Sequence, residues 1–322
     1  RRYLSGFSGS AGYLIISEHE AILATDFRYI EQAGKQAPDF RIERISGSVD
    51  WFPKLMLEIG VGCIGFESRG MTIDIHTAFR NAIDRVEQSH CLTLISTIGL
   101  VENLRTVKST DDIKLITRAV EIADEAFDRV APTVEPGMTE LDLAWSLEKT
   151  MRECGAESIS FDIIVGSGPN GALPHHNPSN KVITEGESVV IDMGARYQGF
   201  CSDLTRTIFI GQPDDTFERV YTTALRAQLE AEKRVRIGMT GGEVDAIARN
   251  IISEAGYGKN FGHSLGHGVG LAVHESPVVG PKSEERIKEG MVFTIEPGIY
   301  LTGWGGVRIE DIVVMEDGRA KV

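Results

Sequence analysis

Residues 134–139 read Val134-Glu135-Pro136-Gly137-Met138-Thr139, and about a hundred residues later the chain repeats the theme as Val235-Arg236-Ile237-Gly238-Met239-Thr240. Each copy follows one long amphipathic segment and precedes another. The second segments close alike, on Glu153-Cys154-Gly155 and Glu254-Ala255-Gly256. One six-residue match is weak by itself. Matching helical segments on both sides make duplication the better reading. Two copies of one α/β half predict a domain with pseudo-two-fold symmetry, and sites form where such halves meet.

Spacing defines the first pair of helices. Ile113, Ile116, Val120, Ala123, Phe127 and Val130 recur at helical intervals and give one apolar face. The start falls at Ser109 or Thr110, with Asp111 and Asp112 placed where the positive helix end favours anions. The next helix begins near Thr139, where Thr139-x-x-Asp142 has the form of a capping box, and it ends at Gly155.

Between and after the helices lie four apolar, strand-like runs, each interrupted by a carboxylate. They are Val189 to Gly194 with Asp192, Asp203 to Ile210, Val292 to Pro297 with Glu296, and Val307 to Val314 with Glu310. A single acid is usually a surface or salt-bridged residue. Four buried in one domain are different, because an uncompensated buried carboxylate costs several kcal/mol or takes up a proton. Basic residues nearby are few, chiefly Arg206 and Arg308. Two divalent cations would balance the four charges. Asp192 and Asp203 fit a hairpin turning at Arg196 to Gly199.

His267 completes the set. It lies in Phe261-Gly262-His263-Ser264-Leu265-Gly266-His267-Gly268-Val269-Gly270. His263 and His267 have i, i+4 spacing, but the glycines disfavour a helix and no H-E-x-x-H is present. A glycine-rich loop that lets backbone approach a ligand fits better. An oxygen-rich site with one imidazole suits Mn²⁺, Co²⁺ or Fe²⁺ over a structural zinc.

Residues 1–104 read as a smaller α/β unit. Tyr13 to Ile16 and Ala21 to Ala24 look like paired strands, Phe27 to Ala37 like a helix ending before Pro38, and Cys91 to Ile98 like a strand. The opening Gly6-Phe7-Ser8-Gly9-Ser10-Ala11-Gly12 fits neither a phosphate loop nor a nucleophile elbow, and reads as a tight turn between strands. Val101 to Lys108 reads as a linker. At 322 residues the chain has room for two domains and a sizeable core without disulfides.

The net charge of −14 argues against nucleic acid or an anionic membrane as partner, since both attract basic patches. No apolar run approaches the ~20 residues of a membrane span. Cys63, Cys91, Cys154 and Cys201 have no metal or C-x-x-C spacing and read as buried thiols of a reducing, cytoplasmic compartment.

At this point the residues resemble a known family. IDMGARYQGFCSDLTRT (191–207), HSLGHGVGLAVHE (263–275), TIEPGIY (294–300) and GVRIED (306–311) are similar to segments of the Xaa-Pro peptidases, prolidase and aminopeptidase P. These belong to the creatinase/methionine aminopeptidase superfamily, peptidase family M24. The resemblance covers 105–322 well; RYLSGFSGSAGYLII (2–16) resembles the family's N-terminal domain more loosely, without its beginning.

The resemblance implies an α/β (α+β) pita-bread catalytic domain of pseudo-two-fold halves over 105–322, preceded by a partial creatinase-like domain over 1–104. It implies Asp192, Asp203, His267, Glu296 and Glu310 as ligands of two divalent ions, Mn²⁺ foremost, with Co²⁺, Fe²⁺ or Zn²⁺ as alternatives. It matches His175, His263 and His274 to the family's other site histidines, and leaves His176 without a role. The expected reaction is hydrolysis of an N-terminal Xaa-Pro bond by a metal-bridging hydroxide. In it Glu296 carries the proton, and His274 with His175 hydrogen-bonds the oxyanion or the substrate amide. His263 and Arg308 would contact the residue after the cut, unless a local carboxylate holds Arg308. Peptides with proline second are the expected substrates, and a homodimer the expected assembly. A methionine aminopeptidase-like enzyme and a non-catalytic peptide-binding relative are the alternatives. The N-terminal domain counts against the first, and the complete ligand set against the second. His19, His76 and His90 carry no motif.

Overall fold

The described residues, 1–86 and 92–322 of a computed structural model, fall into two units, Arg1–Val101 and Glu102–Val322. The first contains α1 (Arg2–Ser5), β1 (Tyr13–Ile16), β2 (Ala21–Thr25), α2 (Ile30–Gln36), β3 (Arg41–Arg44), α3 (Trp51–Glu58), β4 (Cys63–Glu67), α4 (Ile73–Asp84) and β5 (Thr93–Thr97), and the division falls within α5 (Leu100–Thr106). β1 and β2 pair antiparallel, as expected, while β3 joins β2 and β5 joins β4 in parallel. Ile22, Phe52, Met56 and Phe79 are buried at its centre, and the rings of Phe52 and Phe79 meet edge to face at 4.7 Å.

Several local expectations change here. The Gly6 to Gly12 segment links a short helix to β1 instead of joining two strands. The helix expected from Phe27 starts at Ile30, because the Asp26 carboxylate accepts from the Arg28 N–H and holds a turn. The segment read as a linker is helical through Thr106, since no Gly or Pro interrupts Leu100 to Thr106. Cys63 is exposed, Cys154 half-buried and Cys201 buried, all three free; Cys91 and His90 lie outside the described residues. His19 is exposed, and His76 packs on the Phe66 ring.

The second unit runs α6 (Thr110–Val130), α7 (Glu140–Glu153), β6 (Ser158–Ile159), β7 (Ile164–Ser167), β8 (Ser188–Met193), β9 (Ala195–Tyr197), β10 (Phe200–Cys201), β11 (Leu204–Phe209), α8 (Asp215–Arg234) and α9 (Gly241–Glu254). There follow β12 (Gly266–Gly268), β13 (Glu275–Val279), β14 (Val292–Ile295), β15 (Gly298–Leu301), β16 (Gly305–Arg308), β17 (Asp311–Glu316) and β18 (Arg319–Lys321).

The repeated hexapeptide folds the same way twice. Gly137 and Gly238 both take positive φ (105° and 89°), a region that favours glycine. Gly137 N–H donates to Ile183 O, and Ile183 N–H returns to Met138 O; Gly238, Ile287 and Met239 repeat the exchange. Thr139 with Asp142, and Thr240 with Glu243, then form capping boxes that start α7 and α9. Such caps stabilise a helix start by about 1 kcal/mol each.

Each half then packs its helix pair on its strands. Ile122, Leu143, Leu147, Val189 and Ile191 belong to one apolar core, and Val220, Val244, Ile252, Phe293 and Val313 to the other. β7, β8 and β11 form the first half's sheet, and β13, β12, β14, β17 and β18 the second's. The two meet where Thr205 bridges Glu310. One run expected as a single strand is split: Val307 to Val314 breaks at Ile309 and Glu310, so β16 pairs with β15 and β17 with β14.

Candidate metal centre

Strands and the residues flanking them carry all five expected ligands. Asp192 is the fifth residue of β8, and Asp203 immediately precedes β11. β8 and β11 pair antiparallel with Met193 opposite Leu204, so the expected hairpin exists, with the small β9–β10 hairpin inserted at its tip. Glu296 follows β14, and Glu310 falls between β16 and β17. His267 sits at the centre of β12, beside a bulge at His267/Gly268. The glycines around it are there for closeness: a Cβ on Gly266 would come within 1.9 Å of Thr294 O, and one on Gly268 within 2.1 Å of Ser276 O. Of the i, i+4 pair, His267 is therefore in a strand and His263 in the loop before it, and neither is helical.

Asp203, His267 and Glu310 each bring one ligand atom within 4.8 Å of the others. His267 Nε2 is 3.6 Å from Asp203 Oδ2 and 3.4 Å from Glu296 Oε1. The Thr205 hydroxyl donates to Glu310 Oε2 at 2.6 Å. Arg308 Nη2 donates to Asp192 Oδ2 at 2.5 Å, whereas Asp192 Oδ1 is buried without a hydrogen-bond partner among the described residues.

Charge is unbalanced in this cluster. Arg206 is committed to Asp311 Oδ1 at 2.6 Å and to the Glu310 carbonyl, leaving Arg308 as the guanidinium that reaches the acids. Burial and mutual repulsion push Asp203 and Glu310 well above the carboxylate range, and burial pushes Glu296 up to about 8. Burial lowers His267 to about 4, with His274 adding to the shift, so its imidazole is neutral and free to bind a cation. Four carboxylates against one guanidinium, a neutral imidazole among them and an orphaned Asp192 oxygen fit divalent cations. The three-ligand group and the crowding of like charge are what such ions relieve.

The other expected histidines gather around this cluster. The His274 ring packs 4.1 Å from that of His267. His175 and His274 are exposed, and His175 lies near enough to His263 and His274 to disfavour their charged forms. His263 Nδ1 donates to Ser264 O at 2.8 Å, which leaves Nε2 as the acceptor facing the Tyr300 hydroxyl at 2.9 Å. Arg308 is 3% exposed and fully engaged: besides Asp192, it donates to Thr205 Oγ1, Tyr300 Oη and Pro174 O. Its guanidinium is thus held by a carboxylate, that of Asp192. Tyr300, joining His263 to Arg308, was not singled out from the sequence; its place in TIEPGIY was the available signal. His176 turns away to Glu140, at 2.9 Å.

A duplicated α/β domain with an oxygen-rich, one-imidazole centre between its halves is the architecture of a pita-bread metallohydrolase. The chain belongs to metallopeptidase family M24: that family's model matches residues 114–317, and the creatinase/prolidase N-terminal domain model matches residues 1–107. An uncharacterized peptidase of Bacillus subtilis is 42% identical over an alignment of 323 positions, covering 100% of this chain and 90% of the relative. A solved Xaa-Pro dipeptidase from Bacillus anthracis superimposes with a TM-score of 0.96 at 44% identity, covering 100% of this chain and 89% of that one. An X-Pro aminopeptidase from Thermotoga maritima gives 0.91 at 39%, covering 99% and 90%. The expected fold and the expected metallopeptidase class both stand. Among the described residues, no helix is long and apolar enough to cross a membrane.

Proposed function

We propose that this protein is a dinuclear-metal exopeptidase that hydrolyses the Xaa-Pro bond at the N-terminus of peptides or dipeptides. The observation that carries it is the convergence of Asp203, His267 and Glu310 within 4.8 Å, in a chain so similar to solved Xaa-Pro peptidases. Asp192, Asp203, His267, Glu296 and Glu310 would hold two divalent cations, Mn²⁺ by preference. Such ions supply Lewis-acid polarisation and lower the pKa of water.

The protein's own groups do the rest. Glu296, at the edge of the cluster, carries the proton from the attacking water to the leaving nitrogen. His274 and His175, both exposed, donate hydrogen bonds to the scissile group. His263, backed by Tyr300, contacts the residue after the cut. Arg308 acts from behind, orienting Asp192 and Tyr300. A cytoplasmic homodimer belongs to the same reading, and light scattering of the purified protein tests the assembly.

Three peptides decide the substrate: Ala-Pro, Ala-Pro-Ala and Met-Ala-Ser, each given to the Mn²⁺- or Co²⁺-loaded protein. Cleavage at Ala-Pro is expected. The dipeptide alone marks a dipeptidase, and the tripeptide as well marks an aminopeptidase P. Cleavage of Met-Ala-Ser alone overturns the Xaa-Pro reading. No cleavage together with no bound metal favours a binding protein.

A further inference from the structure

Glu140, the first residue of α7, is completely buried. Its carboxylate accepts six hydrogen bonds, all from residues 167–179. Oε1 takes Ser167 N and Ser167 Oγ at 2.9 Å and Asn170 Nδ2 at 3.0 Å. Oε2 takes His176 Nε2 at 2.9 Å, Ser179 N at 3.1 Å and Ser179 Oγ at 2.7 Å. Burial would raise this carboxyl, but the donors outweigh it and hold it at about 2, so it is ionised at any working pH.

The helix does not require this arrangement. Thr139 and Asp142 already cap α7. In the other half Thr240 and Glu243 cap α9 in the same way, and the residue after the cap is Gly241. A Cβ there would lie 2.2 Å from Val278 O. Where one half brings a strand against the helix start, the other brings a charged group and the loop it holds.

That loop carries His175. Pro174 O accepts from Arg308 Nη1 at 3.2 Å on one side, and His176 reaches Glu140 on the other. His175 stands between these two anchors and is exposed.

We propose that Glu140 is a positioning residue: through His176 and Ser179 it fixes the 167–179 segment so that His175 faces the scissile bond. This rests on the proposed role of His175. A displacement of about 1 Å in such a group costs about a hundredfold in rate. Glu140→Gln keeps the size but turns one acceptor into a donor facing other donors.

The test compares Glu140→Gln in the wild-type and His175→Ala backgrounds. On the cleaved Xaa-Pro peptide, kcat is expected to fall about 10- to 100-fold in the first and less than about twofold in the second. KM and bound metal stay unchanged, and the amides of residues 173–179 exchange hydrogen faster. His176→Ala, which removes one tether, should give a smaller loss with the same dependence on His175 and serves if Glu140→Gln fails to fold. Equal losses in both backgrounds, or unchanged exchange at 173–179, overturn the proposal. Absence of Xaa-Pro cleavage by the wild type would count against the function reading, while the exchange measurement, made without substrate, still decides the tether.

Discussion

The Thr205 hydroxyl donates to the Glu310 carboxylate across the line where the two halves meet, and the backbones of the same two residues bridge. Their places in the halves correspond. Thr205 lies opposite Asp192 on β8, and Glu310 stands one step from the pair Asp311 and Ile295, beside Glu296. One half thus offers a hydroxyl where the other offers a carboxylate, and the hydroxyl orients it. Thr205→Val keeps the shape and removes the donor, and also the acceptor of Arg308 Nε. A loss of about 1–3 kcal/mol in urea unfolding is expected, with weaker metal binding; a change below about 0.5 kcal/mol would contradict the pairing's importance.

His267→Ala and Asp203→Ala should lose bound metal and activity together, because each removes one member of the group that converges within 4.8 Å. Elemental analysis after dialysis, paired with peptide assays, checks this. Full turnover by a metal-depleted His267→Ala protein would end the two-metal account.

Metal removal should expose a pH dependence of stability. Glu296 rises to about 8, and Asp203 and Glu310 rise too, so the metal-free fold keeps protons that the unfolded chain releases near pH 4 to 5. These groups make stability fall as pH rises. His263 and His267, lowered to about 4, act oppositely up to about 6.5. Above about 6.5 only the carboxylates remain, so the melting temperature of chelator-treated protein should drop between pH 6.5 and 8. With Mn²⁺ present the curve should flatten; parallel curves would refute the charge argument.

Gly266→Ala places a methyl group where Thr294 O stands 1.9 Å away. The backbone of β12 or β14 must shift, which costs about 1–3 kcal/mol, and His267 moves with it. Metal affinity should fall although no ligand is altered. Calorimetric titration with Mn²⁺ measures this, and wild-type affinity would show that the close approach is not needed.

The halves, their caps and the carboxylates in apolar strands were legible because they are local patterns. A Thr-x-x-Asp box, a recurring Gly-Met-Thr and an acid in a valine-rich run each announce themselves within a few residues. Less could be seen of what lies across the chain. Glu140 carries no motif in the sequence, since its partners follow 27 to 39 residues later. For Arg308 the sequence leaves open a substrate contact or a local carboxylate, and its partner Asp192 stands 116 residues earlier in the chain. The break of Val307 to Val314 into β16 and β17 escaped the period-two pattern, because both pieces are apolar and only their different partners separate them.

Each half of the second unit keeps its own apolar core, while Asp192 and Asp203 come from the first half and His267, Glu296 and Glu310 from the second. Melting either half would dismantle the proposed ligand set. On the proposed function, cations bound there would add a link between the halves beyond the Thr205–Glu310 bridge, and by mass action that link would strengthen with the free ion concentration.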